Sequence, residues 1–294
     1  HHPEAWVKGG YIQFDRLPFL PFEGVEKLME SVTIRVGHYD VNYGDAHYRR
    51  TDGGNSFYNP FVENLIMDAF TTEIGGEIRY LKDGVLGVLS ITNGEINGKV
   101  ESADRIAPAV ILKLGYDRQL NDDLRVRLTG SMYTTSKSAN NTLYSGDRTG
   151  SRYYLVLANA APGVTATSNF TTGRFNPGFR SEVTSFVVNP FVKFRGLELF
   201  GNIEFSSGAS ATESDTRDAS QFAADVVYRF GADEQFYVAG RYNTVTARLA
   251  GATADVSVDR TVGAVGMFFT PNVLAKLEYM NQNYSDFPSN SIFH

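Results

Sequence analysis

The sequence predicts an all-β fold, a transmembrane antiparallel up-and-down β-barrel. Three observations carry that prediction. From Val32 onward the chain runs in long segments that alternate apolar and polar residues, the period-two signature of strands whose two faces meet different surroundings. Many of these segments extend over about ten residues, more than the 5 or 6 usual in soluble domains and close to the 9 to 11 that a tilted strand needs to cross a bilayer. The connections alternate between tight turns and long polar loops, a sorting that an up-and-down barrel imposes and a soluble sandwich does not.

Composition agrees. The chain has 294 residues, 42% of them hydrophobic, with 28 Gly and no Cys, which excludes a disulfide-stapled mini-domain, a collagen-like chain and a disordered tail. The formal charge is −6 with Lys and Arg dispersed, which excludes a nucleic-acid footprint. The mean hydropathy of −0.23 alone would suggest a soluble protein. A barrel with a polar lumen removes that conflict, because half of each strand then faces water. No run approaches the roughly 20 apolar residues of a spanning helix. The 21 Phe and 16 Tyr against one Trp point to rings at an apolar–wet boundary.

The chain reads as one barrel domain over residues 1–294. Tight links at Lys82-Asp83-Gly84, Asn121-Asp122-Asp123, Arg195-Gly196, Gly231-Ala232-Asp233-Glu234 and Pro271-Asn272 define hairpins. The strands so joined are Thr72–Leu81 with Val85–Gly94, Ala109–Leu120 with Leu124–Ser136, Val183–Phe194 with Leu197–Ala209, Ser220–Phe230 with Gln235–Leu249, and Val258–Thr270 with Val273–Tyr284. Further strands are read at Gly9–Asp15, Val32–Val41 and Ser151–Ala160, which makes about 13. Single-chain barrels have even counts, and the terminal Ser289-Asn290-Ser291-Ile292-Phe293-His294 has a loop-like pattern, so terminal strands are expected to be missing.

Strand parity assigns the two faces. Leu124, Val126, Leu128, Gly130 and Met132 would face lipid while Arg125, Arg127, Thr129, Ser131 and Tyr133 face the lumen. The same alternation sends Glu198, Asp225, Lys276 and Glu278 inward. Tyr116, Phe194, Phe205, Tyr228, Phe230, Phe268, Phe269 and Tyr279 are expected to form the interfacial girdles.

The stretch Val36-Gly37-His38-Tyr39-Asp40-Val41-Asn42-Tyr43-Gly44-Asp45, followed by Tyr48-Arg49-Arg50, an insertion, Glu73-Ile74-Gly75-Gly76-Glu77-Ile78-Arg79-Tyr80 and Ser90-Ile91-Thr92-Asn93-Gly94, resembles the central part of general and phosphate-selective-type outer-membrane porins. The resemblance implies a 16-stranded trimer subunit in the outer membrane of a Gram-negative bacterium. It further implies passive diffusion of small hydrophilic solutes or ions, with lipid and lipopolysaccharide as surroundings. The family's basic phosphate ladder has no residue-by-residue match here.

The insertion from Asn42 to Phe70 exceeds what a hairpin needs, and its apolar end Asn59–Phe70 could cover a short helix or a plug. Folded inward, it would form a constriction in which Asp45, Arg49, Arg50, Asp52 and Glu63 set size and charge selectivity. Folded outward, it would be an ordered loop or protein-contact surface. Arg35, Arg79, Arg125, Arg127, Lys193, Glu204, Arg229 and Arg241 are candidate pore-lining residues, although a wet lumen also permits charge without using it. Glu213, Asp215 and Asp218 could bind divalent cations beside lipopolysaccharide or simply be solvated. The few His, His38 beside Asp40 among them, lack the serine a nucleophilic centre would require, so no catalytic group, metal or cofactor is expected. Two alternatives to a channel are a plugged barrel that scaffolds a surface or secretion complex with other outer-membrane proteins, and a soluble all-β domain.

Overall fold

The computed structural model describes residues 9–51, 55–93, 106–145 and 173–287. Among these residues twelve strands form a single antiparallel sheet in which each strand pairs with its sequence neighbour. They are β1 (Gly10–Phe14), β2 (Val32–Asp40), β3 (Thr72–Lys82), β4 (Val85–Thr92), β5 (Ala109–Gln119), β6 (Leu124–Thr135), β7 (Glu182–Phe194), β8 (Leu197–Ala209), β9 (Arg217–Phe230), β10 (Phe236–Arg248), β11 (Asp255–Thr270) and β12 (Val273–Ser285). Among the described residues β1 and β12 are the two edges and do not pair with each other. Every predicted strand that falls on described residues is found, and Leu197–Ala209 has the predicted ends. Ser151–Ala160 and the terminal Ser289–His294 lie outside the described residues.

Turn chemistry sets the hairpin ends. Asp83 and Gly84 both have positive φ (52° and 86°), the backbone that a two-residue hairpin loop with the right twist demands. Asn121 Oδ1 accepts from the amides of Asp123 and Leu124, closing the β5–β6 turn. All the tight turns lie at one end of the sheet. The β1–β2 connection reaches the same end, because Val32 pairs with Tyr80 beside the β3–β4 turn. It departs from the tight-turn rhythm by carrying α1 (Glu23–Met29), a helix of 7 residues that is too short to leave a readable period in the sequence.

The outer wall is apolar and uncovered. Leu112, Leu114, Leu128, Val188, Leu199, Ile203, Val226, Val238, Val265 and Leu277 are all exposed. Each such side chain in water forgoes about 1.5–3 kcal/mol of burial, so a continuous wall of them belongs against hydrocarbon. Tyr80, Tyr116, Phe194, Tyr228, Phe230 and Phe269 ring the turn end, and Phe186, Phe205, Phe222 and Tyr242 lie toward the other. Phe268 departs from the predicted girdle. It stacks on Phe57 of the insertion, with ring centroids 6.3 Å apart, beside a register shift between Phe268 and Thr270.

The residues that a soluble sheet would expose are here the buried ones. Inward positions include Lys113, Asn189, Glu204, Gln221, Asp225, Arg241, Asn243 and Arg260. They are covered by the insertion and by two further segments, Asn141–Tyr144 and Phe175–Phe179. Val41, Tyr43, Ile66, Met67, Leu143, Tyr144, Phe175 and Phe179 form an apolar cluster inside the sheet with Ile111, Tyr133, Val183, Val187 and Val258. The helix considered for Asn59–Phe70 is not formed, and that stretch runs as bends and extended chain. The helical turns of the insertion are two 3-10 turns, Ala46–Arg49 and Asn55–Phe57.

Candidate functional site: the insertion across the lumen

The insertion leaves β2 at Asp40, crosses the interior and returns to β3 at Thr72. Its first anchor is Asp45. Gly44 has φ +68°, which turns the chain so that the Gly44 amide donates to Ser131 Oγ (3.1 Å) and the Asp45 amide to Asn189 Oδ1 (2.8 Å). The Asp45 carboxylate receives Arg127 Nε and Nη2 (2.7 and 2.8 Å), Thr129 Oγ1 (2.9 Å) and Lys113 Nζ (2.7 Å). Burial alone would raise the Asp45 carboxyl; the Arg127 hydrogen bonds and the Lys113 charge outweigh it and hold it at about 2. Lys113 also donates to Gly44 O (2.8 Å) and Asn42 Oδ1 (3.2 Å), so it grips both side chain and backbone of the entry.

The far tip is held by the last three strands. Lys276 Nζ donates to the carbonyls of Ser56 (2.5 Å), Asn59 (2.7 Å) and Phe61 (3.1 Å), and Glu278 accepts from the Val62 amide (2.7 Å). Arg241 is bidentate to Asp225 (2.6 and 2.8 Å), reaches Glu63 O (3.2 Å) and lies 4.1 Å over the Phe61 ring. Arg260 donates to Asn64 O (3.0 Å) and Tyr237 Oη to Pro60 O (3.0 Å). The return limb is docked through its backbone. The Ile66 amide donates to Asn243 Oδ1 (2.7 Å), while Gln221 accepts from the Met67 amide and donates to the Met67 carbonyl, each at 2.8 Å.

This arrangement sorts the predicted site residues. Asp45, Arg49, Arg50 and Glu63 are all inside the sheet, and Asp52 lies outside the described residues. Arg50 is sealed, paired to Asp68 and set 4.4 Å over the Phe70 ring. Arg49 lies 4.4 Å over the Phe200 ring with Asp225 at 3.8 Å. Of the predicted pore-lining residues, Glu204 and Arg241 are corrected, because the insertion covers both and they hold it instead of meeting water. Arg125 and Lys193 remain accessible toward the turn end, with 47% and 31% of their side chains exposed.

The cations near that mouth have acid partners: Arg125 and Arg127 share Asp117, Arg229 binds Glu198 (2.7 Å), Lys193 binds Glu234 (2.8 Å) and Arg79 binds Glu77. Arg35 instead bonds Gln13 (2.8 Å). Glu213 is claimed by Arg217 at 2.5 Å, and no group of three acidic or His side chains among the described residues has the geometry to hold a metal. Sequence reasoning missed Lys113, Asn189, Gln221, Asn243 and Arg260 as anchors. Their signal was a long polar side chain at inward parity in mid-strand.

The sheet, its apolar outer wall and its polar interior define an outer-membrane-type β-barrel with an inward insertion. No protein-family model and no curated protein sequence matches the chain. Among solved structures it is similar to the outer-membrane expressed OmpT of Vibrio cholerae, with TM-score 0.56 and 11% identity over 95% of this chain and 71% of that one. The in-vitro folded OmpT of the same organism follows, with TM-score 0.50, 12% identity and coverage of 86% and 66%. OccAB3 of Acinetobacter baumannii gives TM-score 0.49, 10% identity and coverage of 90% and 61%. At these identities the property shared with the two OmpT structures is the fold, and the chain spans about two thirds of their length.

Proposed function

We propose that the protein is a channel of the Gram-negative outer membrane that passes small hydrophilic solutes or ions, with the Asn42–Phe70 insertion as its constriction. The observation that carries this reading is the docking of the insertion onto the inner faces of strands from β5 to β12, through its own amides and carbonyls on every strand but β8, where the Tyr43 hydroxyl makes the bond. A segment fixed in that way narrows the lumen without relying on flexible side chains. The accessible charges at the turn end, Arg125 and Lys193 with their acid partners, would orient a dipolar solute while binding it weakly, as conduction requires.

The reading extends to membership of the general and phosphate-selective-type porins, to assembly as a homotrimer and to contact with lipopolysaccharide, and it assigns no catalytic group. A second reading, a plugged accessory barrel, is favoured by the apolar packing of Ile66, Met67, Leu143 and Phe175 inside the sheet. Reconstitution in planar bilayers separates the two. Stepwise ionic conductance from folded, heat-modifiable protein supports the channel; folded protein that conducts no ions refutes it and leaves the plug.

A further inference from the structure

Two segments enter the interior separately, the insertion and the stretch Ser138–Ser145 that follows β6. They meet on one atom. Glu204 Oε1, on the inner face of β8, accepts from Tyr43 Oη of the insertion (2.9 Å) and from Tyr144 Oη of the second segment (2.7 Å). Its other oxygen accepts from Gln221 Nε2 (3.2 Å) and Asn202 Nδ2 (3.4 Å), so its donors are all neutral. Tyr144 Oη is held in turn by Ser185 Oγ (2.9 Å) and by Ser206 Oγ. Gln221 also carries the Met67 backbone, so the hydrogen bonds around Glu204 continue into the return limb. The two segments touch elsewhere, through the Phe70 amide and Leu143 O (2.8 Å) and through the hydroxyls of Thr71 and Thr142 (2.6 Å).

A buried carboxylate with no cation is costly, and hydrogen bonds to a charged acceptor are about twice as strong as neutral ones. Nothing in the apolar cluster around Tyr43 and Tyr144 requires a charge. An amide or hydroxyl at position 204 would satisfy Gln221 and Asn202 equally well. What the carboxylate adds is an acceptor strong enough to hold two phenols on a single oxygen.

We propose that Glu204 is a positioning residue that locks the insertion and the Ser138–Ser145 segment into one body, so that the constriction releases as a unit. The proposal rests on the insertion being the constriction, and it assigns to Tyr144, which lies on another loop, control over the insertion's mobility.

The chain has no cysteine, which makes single-thiol reporters clean. Met67→Cys reports release of the insertion and Leu143→Cys release of the second segment, both from buried positions, by the rate of maleimide labelling of the folded barrel. Tyr144→Phe is expected to speed labelling at position 67 on the order of tenfold, the equivalent of one hydrogen bond to a charged group. Tyr43→Phe is expected to do the same at position 143. In a Glu204→Met background, with no acceptor at 204, Tyr43→Phe should add nothing at position 143, and Tyr144→Phe, which still loses Ser185 and Ser206, should lose most of its effect at position 67. Glu204→Gln, which keeps the oxygen and loses the charge, should fall between, and it serves if Glu204→Met fails heat-modifiable folding.

The proposal is overturned if Tyr144→Phe changes labelling only at position 143, or if its effect at position 67 survives intact without the Glu204 carboxylate. Labelling needs no conductance. A barrel that shows this coupling yet passes no ions sinks the channel reading alone, and a conducting barrel without the coupling sinks the latch alone.

Discussion

Asp45 offers the sharpest test of how the insertion is held. Replacing it with Leu removes the acceptor shared by Arg127, Lys113 and Thr129 while keeping the side chain's bulk. Arg127 retains Asp117 at 2.8 Å and is partly wet, so it is not the group that suffers most. Lys113 is. Its side chain is 1% exposed, and it would keep only the neutral acceptors Gly44 O and Asn42 Oδ1. Breaking a buried pair from one side costs about 3–5 kcal/mol, and the two remaining acceptors argue for the low end, about 3 kcal/mol. At about 1.4 kcal/mol per decade, that is roughly two decades in the equilibrium between docked and released insertion. The assay is maleimide labelling at Ala46→Cys in folded barrels, with and without Asp45→Leu. Adding Lys113→Met to Asp45→Leu removes the orphaned charge and should recover most of the loss. A single variant within about fivefold of the parent, or a double variant as labile as the single, would refute the claim that Lys113 and Asp45 anchor the entry of the insertion.

The same anchor makes the insertion acid-labile. His47 is pushed down to about 3 by burial and then by the Lys113 and Arg50 charges, so it docks neutral; once released it regains a value near 6.5, and docking stability present above that pH is lost as pH falls toward 3. Asp45 adds its own loss between its ordinary 3.8 and about 2. Maleimide reacts with the thiolate, whose fraction falls about tenfold per pH unit, so the rate at Ala46→Cys is divided by that of a free thiol at the same pH. This ratio should be lowest near pH 7 and rise below pH 6, and a ratio flat down to pH 4 counts against the anchor. Gly266→Ala places a Cβ about 2.1 Å from the Tyr237 ring, which would displace the phenol from Pro60 O; a cost of about 1–3 kcal/mol should appear as lowered urea stability in detergent, and Tyr237→Phe, which keeps the clashing ring carbons, should not rescue it. Leu114→Arg on the outer wall should cost about 2–4 kcal/mol and prevent insertion into vesicles, whereas Arg125→Leu on the wet mouth should assemble normally; equal behaviour of the two would contradict the assignment of faces.

The strands were legible because the barrel imposes its two solvents on successive residues. Leu124 to Thr135 alternates for the same physical reason in sequence and in space, and so do Leu197 to Ala209. The inward parity of Arg127, Glu204 and Arg241 followed directly. What those groups face did not, since parity distinguishes lumen from lipid but not water from a folded-in loop. Glu204 and Arg241 therefore read as pore lining, although the insertion seals them. The insertion itself has no period to read: Asn59–Phe70 carries apolar residues because it packs inside the sheet, and its lack of a helix follows from being docked residue by residue onto side chains of the wall. Phe268 shares the inward parity of Val262 and Ala264, so the alternation itself turns its ring toward Phe57 and away from the girdle.

That mode of docking divides labour within the insertion. A chain that crosses a barrel interior brings amides and carbonyls that cannot be left bare, and each needs a partner from the wall. Asn189, Gln221, Asn243 and Glu278 supply those partners to Asp45, Met67, Ile66 and Val62, as strand neighbours would in a sheet. The path of the insertion is thus written into the strands, and substitutions on the wall should move it more than substitutions along it. Tyr58 of the insertion, by contrast, keeps its side chain open to the surroundings, with 68% exposure. An insertion held this way can change its exposed side chains without changing its course, because the two depend on different parts of the chain.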